Sequence, residues 1–98
     1  MTRFAVTILP AAEAEVREAF LWYSERSPIA AAAFRAETLE TIDRLSIDAR
    51  MWPEDEDAIR RRRLRHFPYT VFYEIQGGTV TVLAVAHQRR KPGYWRPR

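Results

Sequence analysis

Two adjacent glycines, Gly77 and Gly78, cut a run of strand-forming residues into halves, and a chain written this way has to double back there. Before them, Tyr69, Val71, Tyr73 and Ile75 alternate with Thr70, Phe72, Glu74 and Gln76, the two-residue period of a pleated strand with one apolar face. After them, residues 79–86 are more continuously apolar, as expected of a central strand covered on both faces. With a further strand predicted over residues 59–66, the second half of the chain reads as a three-stranded antiparallel meander with strands at about 59–66, 69–76 and 79–88.

The first half carries a different period. Residues 3–9 (Arg-Phe-Ala-Val-Thr-Ile-Leu) read as an opening strand. Pro10 suits the first turn of a helix, where its missing N–H is not needed, and Glu13, Glu15 and Glu18 follow at the end where the helix dipole favours acids. Ala12, Val16, Ala19, Phe20 and Tyr23 recur at three and four and give this helix a core-facing stripe. Leu21 and Trp22 fall off the stripe, so they either pack a neighbouring helix or stay exposed for a partner. Ser27-Pro28 is an N-cap followed by proline at N1, which starts a second helix after a short break at 24–27. Its predicted apolar line is Ile29, Ala32, Ala36, Leu39 and Ile42, with Phe34 off that line and open to either core or interface. The acid-rich segment 48–57 reads as a loop that is solvated or pairs with the arginines after it; its spacing, without a glycine, is not that of a calcium loop. The expected architecture is therefore α+β: an N-terminal strand, an antiparallel helix hairpin and a three-stranded antiparallel meander, with the helices packed on one sheet face.

Composition narrows the function classes. Ninety-eight residues suffice for one core, so a single domain over 1–98 is expected. With 47% hydrophobic and 30% charged residues the chain is of the folded type. No apolar run approaches the roughly 20 residues that cross a bilayer, so no membrane role is expected. Absence of cysteine excludes disulfides and thiolate metal sites, and the cytoplasm is the expected location. Charge is segregated: residues 60–98 hold nine arginines and Lys91 against Glu74 alone, a net +9, while residues 1–59 hold six arginines and twelve acids, a net −6. A cationic working surface at one end follows, with DNA, RNA or an acidic protein as the natural class of partner.

The same end carries the most distinctive text. Phe67-Pro68-Tyr69 opens a strand, an aromatic follows, the glycine hairpin turns the chain, and the last strand closes on Ala86-His87-Gln88-Arg89-Arg90 before Pro92-Gly93-Tyr94-Trp95. This block resembles the ParE branch of the RelE/ParE superfamily of bacterial toxins, and the order of the remaining elements agrees over essentially the whole chain. The resemblance implies a growth-inhibiting toxin held inactive by an antitoxin encoded beside it. It also implies one of two activities: ParE-like toxins inhibit DNA gyrase, and RelE-like toxins cut messenger RNA on the ribosome.

A metal-free ribonuclease needs a base for the 2′-hydroxyl, cations for the phosphorane and an acid for the leaving oxygen. Candidate parts exist: His87 as acid or base, Arg63, Arg65, Arg89 and Arg90 as phosphate holders, Tyr94 to orient a base, and His66 as a second imidazole. Against this, the position after Tyr69 is Thr70 where RelE-like nucleases usually place a basic residue, and Lys91 is the only lysine. Gyrase inhibition is therefore the expected activity. Arg89, Arg90, Tyr94, Trp95 and Arg96 are its expected contacts, His87 supports them, and no catalytic residue, cofactor or metal is required. For the antitoxin, the expected contacts are Leu21, Trp22 and Phe34. A nucleic-acid-binding module using the arginines 60–63 is a third reading, limited because alternation places only about half of them on each sheet face.

Overall fold

A computed structural model describes residues 3–89 of the chain. Strand β1 (Ala5–Ile8) leads into helix α1 (Pro10–Ser24) and helix α2 (Pro28–Asp48), a single 3-10 turn follows at Ala49–Met51, and then come β2 (Ile59–Arg63), β3 (Tyr69–Gln76) and β4 (Thr79–His87). The four strands form one sheet in the order β1-β4-β3-β2, antiparallel except that β1 runs parallel to β4. The first strand thus closes against the last, which makes β4 central, and the α+β architecture expected from the sequence is present.

Local chemistry fixes the corners. Ser27 Oγ accepts from the Ala30 N–H at 3.1 Å and caps α2 ahead of Pro28. Gly77 has φ +59°, a conformation L side chains resist, and it makes the two-residue β3–β4 turn. β1 is shorter than predicted, beginning at Ala5, because the Phe4 N–H leaves the sheet to bond the Ser46 carbonyl on α2 at 2.8 Å. β2 ends at Arg63 instead of continuing to residue 66. Beyond Leu64, whose N–H donates to the Tyr69 carbonyl, the backbone N–H groups of Arg65 and His66 turn to the Glu37 carboxylate.

The apolar line predicted for α2 is mostly the wrong face. Ile29 is 84% exposed and Leu39 is 43% exposed, whereas Ala31, Phe34, Thr38, Thr41, Ile42 and Leu45 are buried. Phe34 decides the rotation. Its ring lies 5.3, 5.4 and 5.1 Å from those of Tyr23, Phe67 and Tyr69, an aromatic cluster joining both helices to the start of β3. The stripe predicted for α1 does face the core: Ala12 and Ala19 are buried, and Val16, Phe20 and Tyr23 pack against the cluster. Tyr73 occupies the centre with no exposed surface and donates its hydroxyl proton to the Ala49 carbonyl at 2.7 Å.

The acid-rich connection is organised by the arginines after it. Arg60 meets Glu54 at 3.5 Å and the Trp52 carbonyl at 2.5 Å, Arg61 meets Asp55 at 4.0 Å, and Arg62 meets Asp48 at 3.1 Å while stacking on Trp52. Of the two outcomes left open for this segment, pairing is the one found. Arg60 and Arg62 are thereby committed to the fold.

Candidate functional site

The register of β3 on β4 contains one irregularity. Phe72 pairs with Ala84 and Tyr73 with Val82, so Leu83 is an extra residue, a bulge. Before the bulge Val80 and Val82 face the helices; after it Val85 and His87 do, instead of Ala84 and Ala86. His87 lies opposite Tyr69, and the two rings meet edge to face at 5.1 Å on the helix side of the sheet. His87 Nδ1 accepts the Arg89 N–H at 3.0 Å, and the Gln88 N–H donates to the Pro68 carbonyl at 2.9 Å. In this arrangement His87 shapes the chain's exit from β4, and the lone pair of Nδ1 is engaged.

Arg63 stands on the other face. Its register partner is Thr70, which points away from the helices, and its Nη2 donates to Gln88 Oε1 at 3.0 Å. Arg61 shares that open face, its guanidinium 5.5 Å from the Phe72 ring centre. Of the residues that sequence reasoning grouped as a possible ribonuclease, Arg63 is therefore parted from His87 by the sheet, while Arg89 lines the same groove as His87. Among the described residues no group of three or more histidines, cysteines or acids is placed to hold a metal, and no helix is long and apolar enough to cross a membrane. Arg90, Tyr94, Trp95 and Arg96 lie outside the described residues.

Below His87 a groove of about 590 Å³ runs between α1 and the ends of β3 and β4, lined among others by Glu18, Trp22, Tyr23, Pro68, His87 and Arg89. On its α1 side the Glu15 carboxylate accepts the Val85 N–H at 2.9 Å, just past the last bond that β1 makes to β4, Leu9 N–H to the Val82 carbonyl at 3.0 Å. Glu15 thus satisfies a backbone donor that the short first strand does not reach. Burial raises the Tyr23 pKa above its ordinary value of 10.0, so its hydroxyl stays neutral in the groove. Trp22 is 51% exposed with the Arg26 guanidinium 3.7 Å from its ring centre, and Leu21 is 54% exposed. Both are available to a partner. Phe34, expected beside them, is not: it is buried in the aromatic cluster.

On the opposite flank His66 does not join His87. Its Nδ1 lies 2.7 Å from Glu37 Oε1, while Glu37 Oε2 accepts from the N–H groups of Arg65 and His66. Burial works to raise the Glu37 pKa, but the hydrogen bonds from His66 and Arg65 and the attraction of His66 outweigh it, and the net shift is downward. Neither Glu37 nor the groove-side role of Glu15 was predicted. Both acids bind backbone far away in sequence, and no local pattern marks such a contact.

Comparison with known proteins agrees with this architecture. Residues 6–92 match the family model described as the ParE toxin of the type II toxin–antitoxin system parDE. Among solved structures, one described as a chromosomal ParDE TA system from P. aeruginosa aligns with a TM-score of 0.77 at 16% identity, over 87% of this chain and 96% of that one. No curated protein sequence matches significantly.

Proposed function

The chain belongs to the ParE family of type II toxins, and on that premise we propose that it inhibits DNA gyrase by binding, without a chemical step of its own, and is neutralised by a cognate antitoxin. The observation that carries this reading is the separation of His87 from Arg63 by the sheet. In-line cleavage of RNA needs base and cations around one phosphate. Here the imidazole faces α1 with Nδ1 engaged, while Arg63 and Arg61 face the open side. What remains is the cationic stretch of sequence that follows β4: Arg89, and after it in sequence Arg90, Tyr94, Trp95 and Arg96, with His87 supporting.

Such a surface suits either of the anionic elements of a gyrase–DNA complex, phosphate backbone or an acidic protein face, through bidentate arginine contacts. Holding the cleaved complex together by these contacts would block resealing. Leu21 and Trp22, exposed beside the groove, are the contacts proposed for the antitoxin. The cytoplasm, where gyrase and DNA meet, is the proposed location.

A supercoiling assay with the variant carrying Arg89→Ala, Arg90→Ala and Arg96→Ala tests the assignment. Loss of inhibition in a variant with unchanged circular dichroism is expected; full potency in that folded variant removes it. Cuts in translated messenger RNA with normal gyrase turnover would replace it with the nuclease reading.

A further inference from the structure

Helix α2 carries two apolar faces, and only one of them is used inside the chain. Ala31, Phe34, Thr38, Ile42 and Leu45 go to the core, whereas Ile29, Ala32, Ala36, Leu39 and Ile47 form a second line that is exposed. Leu39 stands at its middle, between two hollows of about 330 and 610 Å³ that share Ile8 and Ile42. Arg17 and Arg35 with Glu13 rim the first hollow, a net positive charge; Glu40 and Asp43 rim the second.

Arg35, Leu39 and Asp43 follow at four-residue steps on one row of the helix, so opposite charges flank the leucine about 6 Å to either side. About 12 Å apart along the axis, they are too distant to pair with each other. Among the described residues neither has an ion-pair partner, whereas Glu40 pairs with Arg44 at 3.6 Å. A partner of one sign satisfies one end of this row only. A second copy laid antiparallel, with a two-fold axis at Leu39, sets each Arg35 beside the other copy's Asp43 and the two leucines against each other. The adjoining sheet edge obeys the same symmetry. β1 is an outer strand whose Ala5 and Leu9 N–H groups turn inward to the Gly78 and Val82 carbonyls, so by alternation those of Val6 and Ile8 turn outward. Val6 and Ile8 line the hollow beside Leu39, so an axis at Leu39 also passes near Thr7, the middle of β1. The opposite edge, β2, is guarded by four consecutive arginines, while β1 carries no charge.

We propose that the outer face of α2 and the β1 edge together form a homodimer interface, in which the β1 strands of two copies pair antiparallel and their α2 helices meet at Leu39. Val6 and Ile8 of one copy then exchange main-chain bonds with Ile8 and Val6 of the other, and the second apolar line of α2 leaves solvent. The small side chains of Ala32 and Ala36 let the two helix axes approach to about 8 Å. One helix pair and two short strands make a modest interface, of the size that holds copies together at micromolar concentration. None of Trp22, His87 and Arg89 lines either hollow, so the dimer leaves the groove at the end of β4 open.

The test is sedimentation equilibrium of the full chain across a micromolar range, with amide exchange at its two ends, for wild type, Leu39→Arg, Arg35→Asp and Asp43→Arg, each with a wild-type melting curve. Wild type is expected to dimerise and to protect the Val6 and Ile8 amides only at the high concentration. Each variant alone is expected to dimerise about tenfold more weakly. Mixed one to one, the Arg35→Asp and Asp43→Arg chains again match opposite charges at both ends and are expected to regain wild-type affinity, which a folding defect does not give. A wild type that stays monomeric throughout overturns the proposal, as does a dimer indifferent to all three changes. If association appears only once the antitoxin is added, the antitoxin and not a second copy covers this face, and the proposal fails.

Discussion

Replacing Tyr73 with phenylalanine tests the packing that holds α2 over the sheet. The Tyr73 ring has no exposed surface, and its hydroxyl gives its proton to the Ala49 carbonyl, itself buried, at 2.7 Å. Ala49 follows the last residue of α2, where carbonyls lack partners within the helix, so the tyrosine closes a helix end from across the core. In Tyr73→Phe the ring still fills its site, but the carbonyl stays buried with no donor, at a cost of about 2 kcal/mol. In a domain of this size that lowers Tm by roughly 10 °C.

The same contact sets a signature in pH. Burial, first of all, pushes the Tyr73 pKa up from 10.0 to about 12, with Arg60 and Arg62 opposing and Asp48 assisting. A raised pKa in the folded state means that the contribution is complete below pH 10 and is lost as pH climbs through about 12. The rate of loss is about 1.4 kcal/mol per pH unit. Tyr23 is also raised, but it is present in both proteins and cancels in their difference. Urea titrations of wild type and Tyr73→Phe from pH 7 to 12 should therefore show a gap of about 2 kcal/mol at neutral pH that closes above pH 10. A gap that persists unchanged to pH 12, or none at pH 7, refutes the reasoning.

Three further outcomes follow from single residues. Thr38 is fully buried and its Oγ1 has no hydrogen-bond partner, so Thr38→Val, of nearly equal volume, should raise stability by about 1 kcal/mol in chemical denaturation; a decrease would mean the hydroxyl is satisfied. Ala58 holds φ +62° at the turn into β2, and Ala58→Gly should relieve that strain and gain about 0.5 kcal/mol net of chain entropy, seen as a higher Tm. Glu37 has a lowered pKa, so its contribution is complete above its ordinary value of 4.5 and fades as pH falls through the folded-state value; Glu37→Gln should cost about 1 kcal/mol at pH 7 and lose that acid-side decline, and an identical pH profile would count against the clamp.

Where sequence and structure agree, one local pattern had one physical solution. Alternation over Tyr69–Gln76 leaves a single way to bury Val71 and Tyr73, Gly77 tolerates the turn, and Ser27-Pro28 starts α2. The helix α2 is different, because its alanines fit either of two faces. Ile29, Ala32, Ala36 and Leu39 form as good a stripe as Ala31, Phe34, Thr38 and Leu45, and the polar Thr38 disguises the true one. What decides is the clustering of Phe34 with Tyr23, Phe67 and Tyr69, a contact between segments distant in sequence. Phe34, expected as an antitoxin contact, is buried in the core for the same reason.

The site was legible in composition but not in geometry, and Leu83 is the cause. Counting alternately from Val80 and Val82 along β4 places His87 on the open face, beside Arg61 and Arg63, where a histidine and arginines would make a plausible phosphate-cleaving group. One extra residue reverses that parity, as any single-residue shift in a period of two must. His87 then turns under the sheet onto Tyr69, and the cations above it lose their base. A bulge leaves no mark in a run such as Val-Leu-Ala-Val-Ala, since every residue there is apolar and suits either face. The feature that parts His87 from Arg61 and Arg63 is thus a backbone irregularity that no side-chain pattern announces.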